Sequence, residues 1–153
     1  MHPFCADYFE RYKTFNDDFA NAISGLQPEA LDWIPAPDMN SLTVLIMHAT
    51  GAARYWLGDV CLGDIAPRDR DAELSAHGMD EAALRKRLED TNQYFQNALE
   101  RLSLDDLGQM RPAPGRNQEY RVAFALLHAL EHTALHVGHA QLTRQLWDQR
   151  NRG

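Results

Sequence analysis

No run of apolar residues in this 153-residue chain approaches the roughly 20 needed to cross a bilayer. The opening MHPFCADYFERYK lacks a basic segment followed by an apolar one, so neither a membrane span nor a secretion signal is expected. Cysteine is scarce. Cys5 and Cys61 are too far apart in sequence to act as a chelating pair, and they offer at most one disulfide, which suits a reducing cytoplasm. Positive charge is also in deficit, with 15 basic against 22 acidic residues and a net charge of −7. Such a surface repels a phosphate backbone. The basic triplet in ALRKRLED is followed at once by Glu89 and Asp90, as on a solvated helix face, so nucleic acid is not an expected partner. There is no glycine-rich phosphate loop, no G-x-S-x-G nucleophile elbow and no long period-two alternation that would mark a strand.

What remains is a chain with ordinary hydrophobic (44%) and charged (24%) fractions, long enough for one domain over residues 1–153 with its own core. Its apolar residues recur at steps of four and three. Tyr8, Tyr12, Phe15, Phe19, Ala22 and Leu26 place a helix at about 4–26, closed by Gly25 and Pro28. Ser41 reads as the N-cap of a second helix at about 41–62, with Leu45, His48, Ala52, Tyr55 and Asp59 on one face. Asp80 caps a third, at about 80–102, carrying Leu84, Leu88, Thr91, Phe95, Ala98 and Leu102. A fourth spans about 120–147. The expectation is an all-α four-helix bundle, in which the long connections 27–40 and 63–79 act as crossovers and the prolines at 35 and 37 hold an extended loop.

The segment LLHALEHTALHVGHAQL concentrates His128, His132, His136 and His139 in one helix. At 100° per residue they fall within an arc of about 80°, beside Phe124, Leu135, Leu142 and Leu146, at the edge of the core-facing surface. Two imidazoles four residues apart project side by side and can share one cation, so both 128/132 and 132/136 qualify. His48, inward-facing on the second helix, is the natural third ligand. The same spacing also suits a polar seam in which each ring nitrogen has its own hydrogen-bond partner. HALEH imitates an inverted zinc-protease motif, but Glu131 is the last glutamate and no acidic ligand follows it in the helix body.

Two stretches, LDWIPAPDMNSLTVLIMHATGAARYWLGDV and HALEHTALHVGHAQL, resemble the DinB-like superfamily of four-helix bundles. The matching residues are Trp33, Pro35, Pro37 and Ser41, then His48 with Tyr55 and Trp56, and finally His132, His136 and Gly138. The resemblance implies one divalent metal on His48, His132 and His136, a homodimer, and for several members a transferase activity that uses low-molecular-weight thiols. Two departures stand out. His139 occupies a position where the family often has glutamine, and Val137 one where it often has a basic residue able to meet an anionic group.

Three neutral imidazoles leave a cation its full charge, which lowers the pKa of a coordinated thiol or water. Zinc suits such a site best, and nickel or iron would also accept it. Three functions follow: transfer of an activated thiol to an electrophile, hydrolysis by activated water, or metal or ligand binding without catalysis. Tyr55, Asp59, Arg121, His128 and His139 are the candidates for lining the pocket or supporting the ligands. Arg121, near the start of the fourth helix, could meet a substrate carboxylate.

Overall fold

The computed structural model describes residues 1–150 and 152. Helix α1 (Pro3–Ile23) starts where the His2 ring accepts the Phe4 amide at 3.1 Å, with Pro3 supplying a preset φ in the first turn. It stops three residues earlier than its apolar stripe predicts. Gly25 turns the chain at φ +72°, and Leu26 packs into the core from outside the helix. Pro28 opens a single helical turn, α2 (Pro28–Leu31), within what reads as loop. Helix α3 (Leu42–Arg54) is capped by the Ser41 hydroxyl on Val44, and α5 (Glu81–Leu99) by the Asp80 carboxylate on Ala83. Both caps stand where the sequence puts them. The short α4 (Arg70–Leu74) interrupts the expected polar connection between them.

The second predicted helix is not uniform. After Arg54 it widens into a π-helical segment, Tyr55–Leu62, which ends at Gly63. Gly58 is what lets Arg54 cross this segment: a Cβ there would lie 1.6 Å from Arg54 Nη1. Arg54 instead bridges the Asp59 carboxylate and the Asp64 carbonyl, both at 2.9 Å, with its guanidinium over the Tyr94 ring.

The last helix, α6 (Val122–Arg150), starts two residues later than its sequence suggests, because Glu119–Arg121 forms β2, paired antiparallel with β1 (Met110–Pro112). The sequence gives no cue for this hairpin. Each strand is three residues long, too short for period-two alternation to register.

The four long helices form the bundle expected from sequence. Helix α1 packs against α5 and α6, and α3 packs against the same two. The cyclic order is therefore α1–α5–α3–α6, and the connections that cross the diagonal are 24–41 and 100–121. The segment 63–79, expected as a crossover, joins two neighbours instead. Two apolar clusters fill the bundle. One centres on Tyr12, Phe95, Trp56 and Leu126, with Tyr12 and Phe95 stacked at 3.7 Å between ring centroids. The other centres on Phe19, Leu31, Ile46, Leu84 and Val137. Along α3 the change from one cluster to the other falls between Ala49 and Ala53, and along α6 between Ala129 and Val137. His48, His132 and His136 lie near that level.

Helix α6 departs from expectation in what it buries. Its core face is Val122, Ala125, Leu126, Ala129, Thr133, Val137, Ala140 and Thr143, largely small side chains that allow close approach. Phe124, Leu135 and Leu142, expected beside the core, are about half exposed. The histidines thus run along the border between a buried apolar face and an exposed one.

Candidate metal centre

Three imidazoles converge from two facing helices. His48 on α3 lies 5.1 Å, centroid to centroid, from both His132 and His136 on α6, and those two are 4.4 Å apart. The rings stand at 64°, 86° and 75° to one another, so edges rather than faces meet. One nitrogen from each can be chosen so that all three lie within 4.8 Å of one another. The Nε2 atoms of His132 and His136 are 3.2 Å apart. Two nitrogens held tetrahedrally at 2.0–2.1 Å from one cation would be about 3.3 Å apart, so the pair is already at ligand spacing.

The polar seam anticipated as the alternative is only partly realised. His48 Nδ1 faces the Glu73 carboxylate at 3.3 Å, an arrangement that fixes the N–H on Nδ1 and leaves Nε2 free to donate its lone pair. His132 and His136 have no such support: both Nδ1 atoms are buried without a hydrogen-bond partner among the described residues. The two rings share one contact, through Nε2. A single hydrogen bond there uses one lone pair, whereas a cation would use both. Burial, then the nearby His136, His48, His128 and Arg68, pushes the His132 imidazole down to about 4. Burial, then His48 and His139, pushes His136 down to about 4 as well. Both are neutral at pH 7, the form that binds metal. The donor set and its spacing fit one divalent ion.

Glu73 has no counterpart in the sequence reading. It sits on α4, packed over α3, with only 6% of its surface exposed. Burial raises its pKa, but hydrogen bonds from Arg68 and then His48 outweigh that and hold it below the usual carboxylate range. Arg68 grips it bidentately, Nε to Oε1 at 2.8 Å and Nη2 to Oε2 at 2.7 Å. Gly51 makes the approach possible, since a Cβ at that position would fall 1.9 Å from Glu73 Oε1. In RDRDAEL five of the seven residues are charged, which reads as a solvated loop; Asp69, capping Ala72, is the one local cue to a helix there.

Residues 11–140 match the profile of the DinB superfamily. The chain belongs to this superfamily. Its fold is shared by solved structures at low identity. YfiT from Bacillus subtilis, described as a probable metal-dependent hydrolase with an unusual four-helix-bundle topology, aligns with TM-score 0.74 and 12% identity over 95% of this chain and 88% of its own. A conserved protein from Enterococcus faecalis aligns at 0.72 and 14% identity, covering 91% of this chain and 94% of its own. A DinB-like protein from Bacillus cereus aligns at 0.70 and 16%, covering 90% and 89%. No curated protein matches the chain significantly.

The remaining candidates of this DinB-superfamily chain separate clearly. His128 lines the cavity beside the triad, 6.0 Å from His132 and 4.6 Å from Trp56 between ring centroids. His139 lies 5.6 Å from His136 but is exposed, and it borders a different cavity with Asp38, Met39 and Leu45. Tyr55 is buried, and its hydroxyl donates to the Pro114 carbonyl at 2.8 Å, tying the π segment to the β1–β2 connection. Asp59 is not a solvated helix end. It is buried and paired with Arg54, and desolvation keeps its pKa above the ordinary value despite that partner. Arg121 is displaced from the site altogether: it is exposed on β2, in a groove with Met110, Tyr120, Phe124 and Leu127. The arginines near the histidines are instead Arg68, Arg70 and Arg116. Arg68 and Arg116 come from connections and Arg70 from the first turn of the short α4, so no long-helix periodicity announces them.

Proposed function

We propose that this DinB-superfamily protein is a metal-dependent transferase that activates a small thiol at His48, His132 and His136. The metal-dependent part is supported by the converging triad, in which two neutral imidazoles have Nδ1 atoms without a partner among the described residues and Nε2 atoms 3.2 Å apart. A bound divalent ion supplies Lewis acidity, which lowers the pKa of a thiol or water. Zinc suits three imidazoles and a thiol best, with nickel and iron(II) as alternatives.

The observation that favours a thiol over water is the occupation of Glu73. Water on such an ion would ionise at a pKa of about 7, but hydrolysis would still need a carboxylate or histidine, acting first as base and then as acid, to carry the proton to the leaving group. The acid that touches the triad is held by Arg68 through both oxygens and pinned below the carboxylate range, so it orients His48 and is a poor base. A thiol starts near pKa 8.5 and requires no such base. Arg68, Arg70 and Arg116 around the cavity favour its anionic form. The hydrolase reading is kept alive by the description of YfiT and by His128, which lines the cavity beside Trp56 and could relay a proton.

Metal content of protein purified without chelator or affinity tag tests the first half: near one equivalent is expected, lost in His132→Ala. Conjugation of small thiols to electrophiles, run beside an ester and amide panel on the same loaded protein, tests the second. Turnover of esters or amides with no thiol transfer would replace the transferase with the hydrolase. Protein that neither carries metal nor takes it up would remove both.

A further inference from the structure

We propose that the substrate is a small organic anion, carrying a carboxylate or phosphate that Arg70 and Arg116 seat beside the histidines. This rests on the reading of the triad as the reacting centre, and it names the class of molecule that approaches it. A cavity of about 230 Å³ opens onto His48 and His132 and is walled by Ala52, Trp56, His128, Arg68, Arg70 and Arg116. It is smaller than a drug-sized pocket, which limits the ligand to a few functional groups. Its lining has three guanidinium groups and no acid, in a chain whose net charge is −7.

The three arginines are not equivalent. Arg68 is committed to Glu73. Neither Arg70 nor Arg116 forms an ion pair among the described residues, and both are exposed. Arg116 is nevertheless placed: its guanidinium packs 5.0 Å from the Trp56 ring centre and 5.7 Å from that of Tyr55. Stacking holds the plane while leaving N–H groups to grip an oxyanion in two places. Arg70 lines the same cavity from the first turn of α4. The same three arginines also line an adjoining cavity of about 380 Å³, where the acid present, Asp59, is already paired with Arg54 at 2.9 Å. No free carboxylate therefore competes for the site among the described residues.

Anion binding is read on chelator-stripped protein by calorimetry, with succinate, inorganic phosphate and uncharged succinamide as probes. Saturable binding of succinate, phosphate or both at millimolar concentration is expected, with none for succinamide. The stronger of the two ions identifies which oxyanion the site prefers. Arg116→Gln and Arg70→Gln should each weaken binding about tenfold, the equivalent of one charge-assisted hydrogen bond, while Lys86→Gln, remote on α5, should not. Metal uptake, measured separately, should be unchanged in all three variants. Absence of saturable anion binding, or binding indifferent to both arginine substitutions, overturns the inference. If His132→Ala abolishes metal uptake while arginine-dependent anion binding survives, both readings stand. If native protein takes up no metal but still binds the anion through the arginines, the triad reading alone fails.

Discussion

Gly51→Ala is a small change with a disproportionate expected effect. The new methyl group would stand 1.9 Å from Glu73 Oε1 and 2.5 Å from its Cδ. Restoring ordinary contact requires the carboxylate to move by more than ~1 Å. A free surface glutamate would simply rotate, but this one is held by two hydrogen bonds to Arg68 at 2.7 and 2.8 Å and faces His48 at 3.3 Å. Displacement weakens contacts worth about 1.5–3 kcal/mol each when charged, discounted because the Arg68 side chain is 21% exposed and can turn to water. Against this, alanine in place of glycine within a helix gains about 1 kcal/mol. The net expectation is a loss of about 1–3 kcal/mol, or about 2–4 °C in Tm per kcal/mol for a chain of this size.

Metal affinity should fall about 10–100-fold, the usual consequence of losing the partner that orients a ligating histidine. Denaturant unfolding and metal competition titration measure the two effects. Truncating the glutamate should rescue the clash, so Gly51→Ala combined with Glu73→Ala should be less damaging than the sum of the singles. A Gly51→Ala protein at least as stable as the native one, with unchanged metal affinity, would refute the placement of Glu73 against α3.

Other expectations follow from the same geometry. In metal-stripped protein, His132 and His136 are depressed from 6.5 to about 4, so the unfolded chain takes up their protons first. Their contribution to stability is complete above about pH 6.5 and is lost as pH falls toward 4; urea titrations of native protein and a His132→Gln/His136→Gln variant should diverge in that window, and parallel curves would contradict it. Cys61 is buried, its thiol pushed up to about 12 by desolvation, so alkylation should proceed at the rate of unfolding rather than at that of an accessible thiol. Rapid modification of folded protein would count against that burial. The exposed stripe Phe124, Leu127, Leu135 and Leu142 is apolar enough to be covered by a second copy of the chain. Sedimentation should give a homodimer that Leu135→Glu converts to monomer; a native monomer at all concentrations would dismiss that role.

The bundle was legible because its signal is periodic and local. Steps of four and three in α1 and α5 place Tyr8, Tyr12, Phe95 and Ala98 on buried faces whatever the partners are, and Ser41 and Asp80 satisfy orphan amides within three residues of themselves. His48, His132 and His136 could be nominated for the same reason: a helix fixes which residues share a face. Tertiary structure decided what surrounds them. Glu73 reaches His48 across 25 positions because α4 folds onto α3 at Gly51. Arg68, Arg70 and Arg116 meet because two connections close over one end of the triad. Arg121 leaves the site because a three-residue strand claims it, and Asp59 is taken up by Arg54, which crosses the π segment to reach it. Connections have no repeating backbone geometry, so where their side chains point depends on the long-range packing that holds them. That is why the sequence alone reaches the three ring nitrogens but not the charges around them.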